Sequence, residues 1–254
     1  MQQSNTYIII FTLLMTIFFG TLLSFTRMKL GPIQKVQVEI DTKKKILGAV
    51  MDISTLSSDE VLELYNKKMS SLVLDISGNE VFASDGEKLI AEEINIQKNY
   101  KVAKNDRDYP VFMFSDDGST IDYYIFPMFG NGLWDWISGF VALDKDLNKV
   151  VGVAFDHKAE TPGLGARISS NEIQDRYKGK EIFDGLGNLV SVRMLKKENN
   201  AELDIHEVDG MSGATITANG LNDMLKNYLD CYLPFIIKNK KNNQTLIPSL
   251  MRSK

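Results

Sequence analysis

From Tyr7 to Phe25 the chain reads YIIIFTLLMTIFFGTLLSF, with no charged side chain. A helix rising about 1.5 Å per residue just crosses the hydrocarbon layer of a bilayer over that length. Apolar residues lie all round such a helix with no polar face, unlike an amphipathic soluble helix. The preceding MQQSNT has no Lys or Arg and no A-x-A site follows, so a cleaved signal peptide fits less well. A short leader (1–6) and one retained transmembrane helix (7–25) are expected. Beyond Gly31 and Pro32, residues Ile33, Val36, Ile40, Leu47 and Val50 recur at loosely helical spacing, which predicts a juxtamembrane helix ending near Asp52. Ser58 is the expected N-cap of the next helix, marked by Val61, Leu64, Tyr65 and Met69.

From Leu72 the texture changes to short apolar runs: SLVLDI, PVFMF, DYYIFPMF, ISGFVALD, KVVGVAFDH, LVSVRML and AELDIHEV. Turn residues such as Asp117-Gly118 and Asn131-Gly132 separate them, and they read as strands. A short helix is expected at SNEIQDRY from Ser170, and an amphipathic one from about Asn219 to Pro234. The fold class is α+β, without internal repeats. A mixed juxtamembrane segment is assigned to 26–108, the main domain to 109–235, and a polar tail, rich in Lys and Asn, to 236–254.

Composition narrows the chemistry. Hydrophobic residues at 44% and charged residues at 24% fit a folded domain, and a net charge of -4 offers no general basic surface, so no nucleic-acid partner is expected. A single cysteine, Cys231, excludes an intrachain disulfide, and two histidines, His157 and His206, make no metal cluster. The P-loop signature is missing, and Gly163-Leu164-Gly165-Ala166-Arg167-Ile168 lacks the third glycine of a dinucleotide fingerprint. Two glycine-bearing stretches remain, His157–Arg167 and Asp209–Gly220. In the second, Gly210 and Gly213 permit a tight turn while Ser212, Thr215 and Thr217 crowd hydroxyls before a helix, an arrangement suited to a phosphate. A plain N-cap turn with Thr217 as the cap accounts for the same spacing.

Asp209-Gly210-Met211-Ser212-Gly213-Ala214-Thr215 resembles the D-x-x-[ST]-G-A-T signature of the FMN-binding family modified by a periplasmic flavin transferase. Glu160-Thr161-Pro162-Gly163-Leu164-Gly165 resembles that family's E-T-P-G-L-G, and Gly130-Asn131-Gly132-Leu133-Trp134 its G-x-G-L-W, all in family order. With its apolar N-terminal run and its length, the chain is similar to the C subunits of sodium-translocating NADH:quinone reductases. Rnf-type G subunits share the flavin motifs but are usually shorter. Trp136, which makes the pair Trp134-Asp135-Trp136, departs from the pattern.

The resemblance implies a mixed α/β FMN-binding domain with a curved, largely antiparallel sheet. It also implies covalent FMN, linked through its phosphate to Thr215. Asp209, Ser212, Gly213 and Ala214 would shape the turn beneath the phosphate, with Thr217 as a hydrogen-bond donor to it. Leu133, Trp134, Thr161, Pro162, Gly163 and Leu164 would contact the ring, and Glu160 would orient backbone or ring-edge atoms. Trp134 reads equally well as a core aromatic, and Glu160 as a turn or ion-pair residue. No catalytic acid or base is assigned, and the isolated subunit is expected to have no turnover of its own. Implied partners are other subunits of a membrane respiratory complex that oxidises NADH, reduces quinone and exports sodium, together with the flavin transferase. A membrane-tethered flavin reductase and a cofactor-free adaptor remain alternatives. Arg27, Lys29 and Lys35 after the span favour a cytoplasmic domain by the positive-inside rule. The resemblance implies instead a single-pass protein of the bacterial inner membrane with a periplasmic domain.

Overall fold

The computed structural model describes residues 4–83 and 86–251, with side chains described to residue 240. Residues 1–3 of the leader and 252–254 of the tail lie outside it. The chain divides into two units, 1–43 and 44–254.

Helix α1 (Asn5–Gly48) contains the apolar run and is long and apolar enough to cross a membrane. It continues through Gly31 and Pro32, where the sequence predicts a separate juxtamembrane helix. Proline's fixed φ is itself helical, so the cost falls on one lost hydrogen bond and on the preceding turn. In the second unit, α2 (Ser58–Lys68) begins one residue earlier than expected. Ser57, not Ser58, is the N-cap: its hydroxyl accepts from the Glu60 amide, and the Glu60 carboxylate accepts from the Ser57 amide.

Five antiparallel strands form one sheet in sequence order: β1 (Met69–Leu74), β2 (Tyr109–Phe114), β3 (Tyr123–Asn131), β4 (Trp136–Asp144) and β5 (Val150–His157). A one-turn helix α3 (Ile96–Asn99) lies in the long β1–β2 connection. Alternation along the strands divides the core. Val111, Phe126, Met128, Ile137 and Leu143 pack with Leu221, Leu225, Leu229 and Tyr232 of α5 (Thr215–Met251). Phe112, Phe114, Ile125 and Ala142 face the other way, onto Ile46, Leu47, Val61 and Tyr65.

SNEIQDRY becomes α4 (Asn171–Gln174) and a 3-10 turn. LVSVRML and AELDIHEV are strands only at β6 (Arg193–Met194) and β7 (Glu207–Val208), a short parallel pair. Ser191, at φ 66, breaks the extended backbone before β6. The last helix starts at Thr215, ahead of the expected Asn219, and its backbone stays helical through 236–251, the stretch read as a polar tail.

Candidate functional site

The register of the sheet brings the three motifs together. Asn131 pairs with Trp136 across β3–β4, so Gly132–Asp135 form the hairpin tip, closed by the Gly132 amide on the Asp135 carbonyl at 2.8 Å. Ile137 pairs with His157 across β4–β5, which starts the Glu160–Gly165 loop beside that tip. The start of α5 completes the group: a Cβ on Gly220 would collide with the Asn131 carbonyl, so the helix meets the hairpin backbone directly.

Glu160 fastens these parts. Its side chain is 4% exposed. Oε1 accepts the amides of Leu133 (2.8 Å) and Trp134 (3.0 Å), while Oε2 accepts the Thr217 hydroxyl (2.5 Å). Gly132 and Gly165 are tied to this arrangement, since a Cβ on either would run into the carboxylate. Its own amide donates to His157 Nδ1 at 3.3 Å. No ion-pair partner of Glu160 is found among the described residues, so the expectation of an ion pair gives way to a buried hydrogen-bond hub.

Thr217 is neither an N-cap nor free to reach outward. It is the third residue of α5, buried, and its hydroxyl hydrogen is given to Glu160. Ala214 precedes the helix and accepts the Ala218 amide at 2.9 Å, closing the first turn without offering a side-chain cap. Thr215, at the first helical position, is half-buried, and Ile216 beside it is exposed. The amide ends of an α-helix's first turn favour negative charge.

The loop and hairpin tip tied to this helix start through Glu160 carry exposed apolar side chains. Trp134 is 68% exposed, which removes it from the core, and Leu133 and Leu164 are exposed too. The Trp134 indole N–H donates to Thr161 Oγ1 at 3.1 Å, joining hairpin tip to loop. The loop turns on Leu164 and Ala166 amides that both reach the Thr161 carbonyl, with Pro162 exposed and Gly163 at φ 75. Gly213, at φ 77, lies under Leu164.

A second set of contacts, which no sequence motif announces, holds the turn before Thr215. Glu198 pairs with Arg167 (2.6 Å) and Arg176 (3.0 Å) and accepts the Ser212 amide at 3.2 Å. Arg176 also donates to the carbonyls of Asp209 and Gly210. Arg167 first, then Arg176 and the Ser212 amide, keep the Glu198 carboxyl well below the usual carboxylate range. Asp209 accepts the backbone and side-chain N–H of Asn200, each at 2.8 Å, which lowers its pKa. It therefore braces the turn from behind. These partners lie 9 to 34 residues apart, at no helical or strand period, so no local signal marks them.

The FMN-binding domain family matches residues 132–230, a span containing the hairpin tip, the Glu160 loop and the start of α5. The C subunit of the Na(+)-translocating NADH-quinone reductase from Haemophilus ducreyi is 31% identical over 215 residues, covering 78% of this chain and 79% of the relative. The Neisseria meningitidis C subunit is 30% identical, covering 83% and 85%. This chain belongs to the family of Na(+)-translocating NADH-quinone reductase C subunits. The crystal structure of the Parabacteroides distasonis C subunit matches at TM-score 0.70 and 32% identity, covering 82% of this chain and 96% of that one. That of Shewanella oneidensis NqrC, at 23% identity and TM-score 0.70, shares the fold. Within this family, the flavin motifs belong to a C subunit, not to the Rnf-type G subunit they also resemble, and an FMN-binding domain counts against a cofactor-free adaptor.

Proposed function

We propose that Thr215 carries FMN as a phosphoester and that the chain relays electrons between partner subunits of a sodium-pumping NADH:quinone reductase, toward quinone. One observation carries the reading: a threonine stands at the first position of a helix whose start is tied through Glu160 to the hairpin tip bearing exposed Leu133 and Trp134, with Leu164 packed over Gly213 just before it.

The residues present fit the group. The first-turn amides of α5 would face the phosphate, and the left-handed Gly213, packed directly under Leu164, turns the chain into that helix start. Leu133, Trp134 and the Thr161–Leu164 loop would cover the ring, with Thr161 holding the indole in place. Ser212, Gly213 and Ala214 would form the turn under the phosphate, braced by Asp209 and Arg176. Thr217 is assigned to Glu160 in place of the phosphate. FMN, when bound, supplies reversible electron acceptance, and the protein supplies placement and electrostatics. The chain has no assigned acid or base, in keeping with a carrier that has no turnover of its own.

Attachment requires a flavin transferase, which in the family this chain resembles works outside the cytoplasmic membrane. The domain is accordingly assigned to the periplasm, with α1 as a single-pass inner-membrane anchor. In-gel flavin fluorescence of protein made with the transferase tests the assignment. Wild type should be bright and Thr215→Ala dark; a bright alanine variant would overturn it.

A further inference from the structure

Glu160 is the sole acidic side chain among the buried described residues. Its neighbours neutralise each other or donate without charge. Lys158 pairs with Asp135 at 2.9 Å on the hairpin rim, the His157 ring accepts the Glu160 amide, and the three groups on the carboxylate are two backbone N–H and one hydroxyl. All three act as donors, the pattern suited to an ionised carboxylate, which only accepts. Both ends of the site rest on this group. It is one hydrogen bond from the backbone carrying exposed Leu133 and Trp134, and one from Thr217, two residues beyond Thr215 on α5.

We propose that Glu160 is a positioning residue whose buried, unpaired charge also sets how readily the flavin is reduced. The inference rests on the assignment of FMN to Thr215. A ring covered by Leu133, Trp134 and Leu164 would rest on the backbone that this buried carboxylate holds through the Leu133 and Trp134 amides. A fixed charge that is itself buried is screened less than one in open water. Electrons added to the ring are disfavoured by a nearby negative charge, so Glu160 holds the flavin at lower potential than its hydrogen bonds alone would require. A glutamine fits the same space: its amide oxygen accepts from Leu133 and Trp134, and its NH2 donates to the Thr217 hydroxyl, which accepts by rotating.

The experiment uses full-length protein made with the transferase and compares wild type with Glu160→Gln by redox titration of the flavin absorbance. Melting of the unloaded chains serves as the fold control. The midpoint potential of Glu160→Gln should move positive. An unchanged potential in a loaded, folded variant would overturn the inference and reduce Glu160 to a structural clasp. If Glu160→Gln does not fold, Thr217→Val is read instead. It keeps the charge but removes a hydrogen bond that disperses it, so the potential should move negative, and no shift would overturn the inference. Wild type that carries no flavin on Thr215 would strike at the FMN assignment itself, whereas flavin-bearing proteins of equal potential would strike only at the role of Glu160.

Discussion

The Glu160 carboxylate accepts the Thr217 hydroxyl at 2.5 Å, joining the loop after β5 to the first turn of α5. Both residues are buried. Thr217→Val keeps the shape but leaves a carboxylate oxygen without its donor, at a cost of about 1–3 kcal/mol. Urea or thermal unfolding of the unloaded chain should register that loss. Wild-type stability in the valine variant would mean that the hydroxyl contributes nothing to the clasp.

Trp134 lies at the surface, so Trp134→Ala should change stability by no more than about 0.5 kcal/mol. With flavin attached, the same substitution should brighten flavin emission or shift its potential, because an indole near the ring quenches it. Unchanged emission and potential would remove Trp134 from the ring site.

The pH dependence of stability should carry the mark of Glu198. Arg167 and Arg176 lower its pKa in the folded state from the usual 4.5, so its contribution is complete above that value and is lost as pH falls below it. Between about pH 5 and pH 2.5, Glu198→Gln should show a shallower decline than wild type in urea midpoints. Parallel curves would mean that the ion pairs are not maintained in solution.

Much of this architecture is legible in the sequence because it is written in local pattern. Short apolar runs set off by turn residues mark all five strands of the sheet, and the longer apolar run marks α1. The approach of the hairpin tip, the Glu160 loop and the start of α5 is implied by three motifs but becomes intelligible only through strand register. Spacing misplaces Thr217, because position before a helix cannot separate a capping hydroxyl from one turned inward to a partner 57 residues away. Ser191 shows the same limit: a left-handed residue inside LVSVRML ends a run that composition reads as strand. Arg167, Arg176 and Glu198 leave no trace, since ion pairs between distant loops follow no period.

Sidedness sets the charge pattern after the span against the requirement for a periplasmic transferase. Large domains cross membranes largely regardless of flanking charge, and the proposed attachment to Thr215 by a periplasmic transferase requires that this one does. Protease added to intact spheroplasts should digest the chain from Ile33 onward, and an alkaline phosphatase fusion at the C-terminus should be active. Protection until lysis would mean that the charge rule governs and that flavin attachment needs another route.

FMN on Thr215 would be a covalent bond at one hydroxyl, and peptide-resolved mass spectrometry of the native protein reads it directly. The peptide containing Asp209–Thr215 should carry about 438 Da, FMN less water, with fragmentation locating the addition on Thr215. An unmodified peptide from cells that possess the transferase, or the same mass on another residue, would rule out Thr215 as the flavin's attachment point.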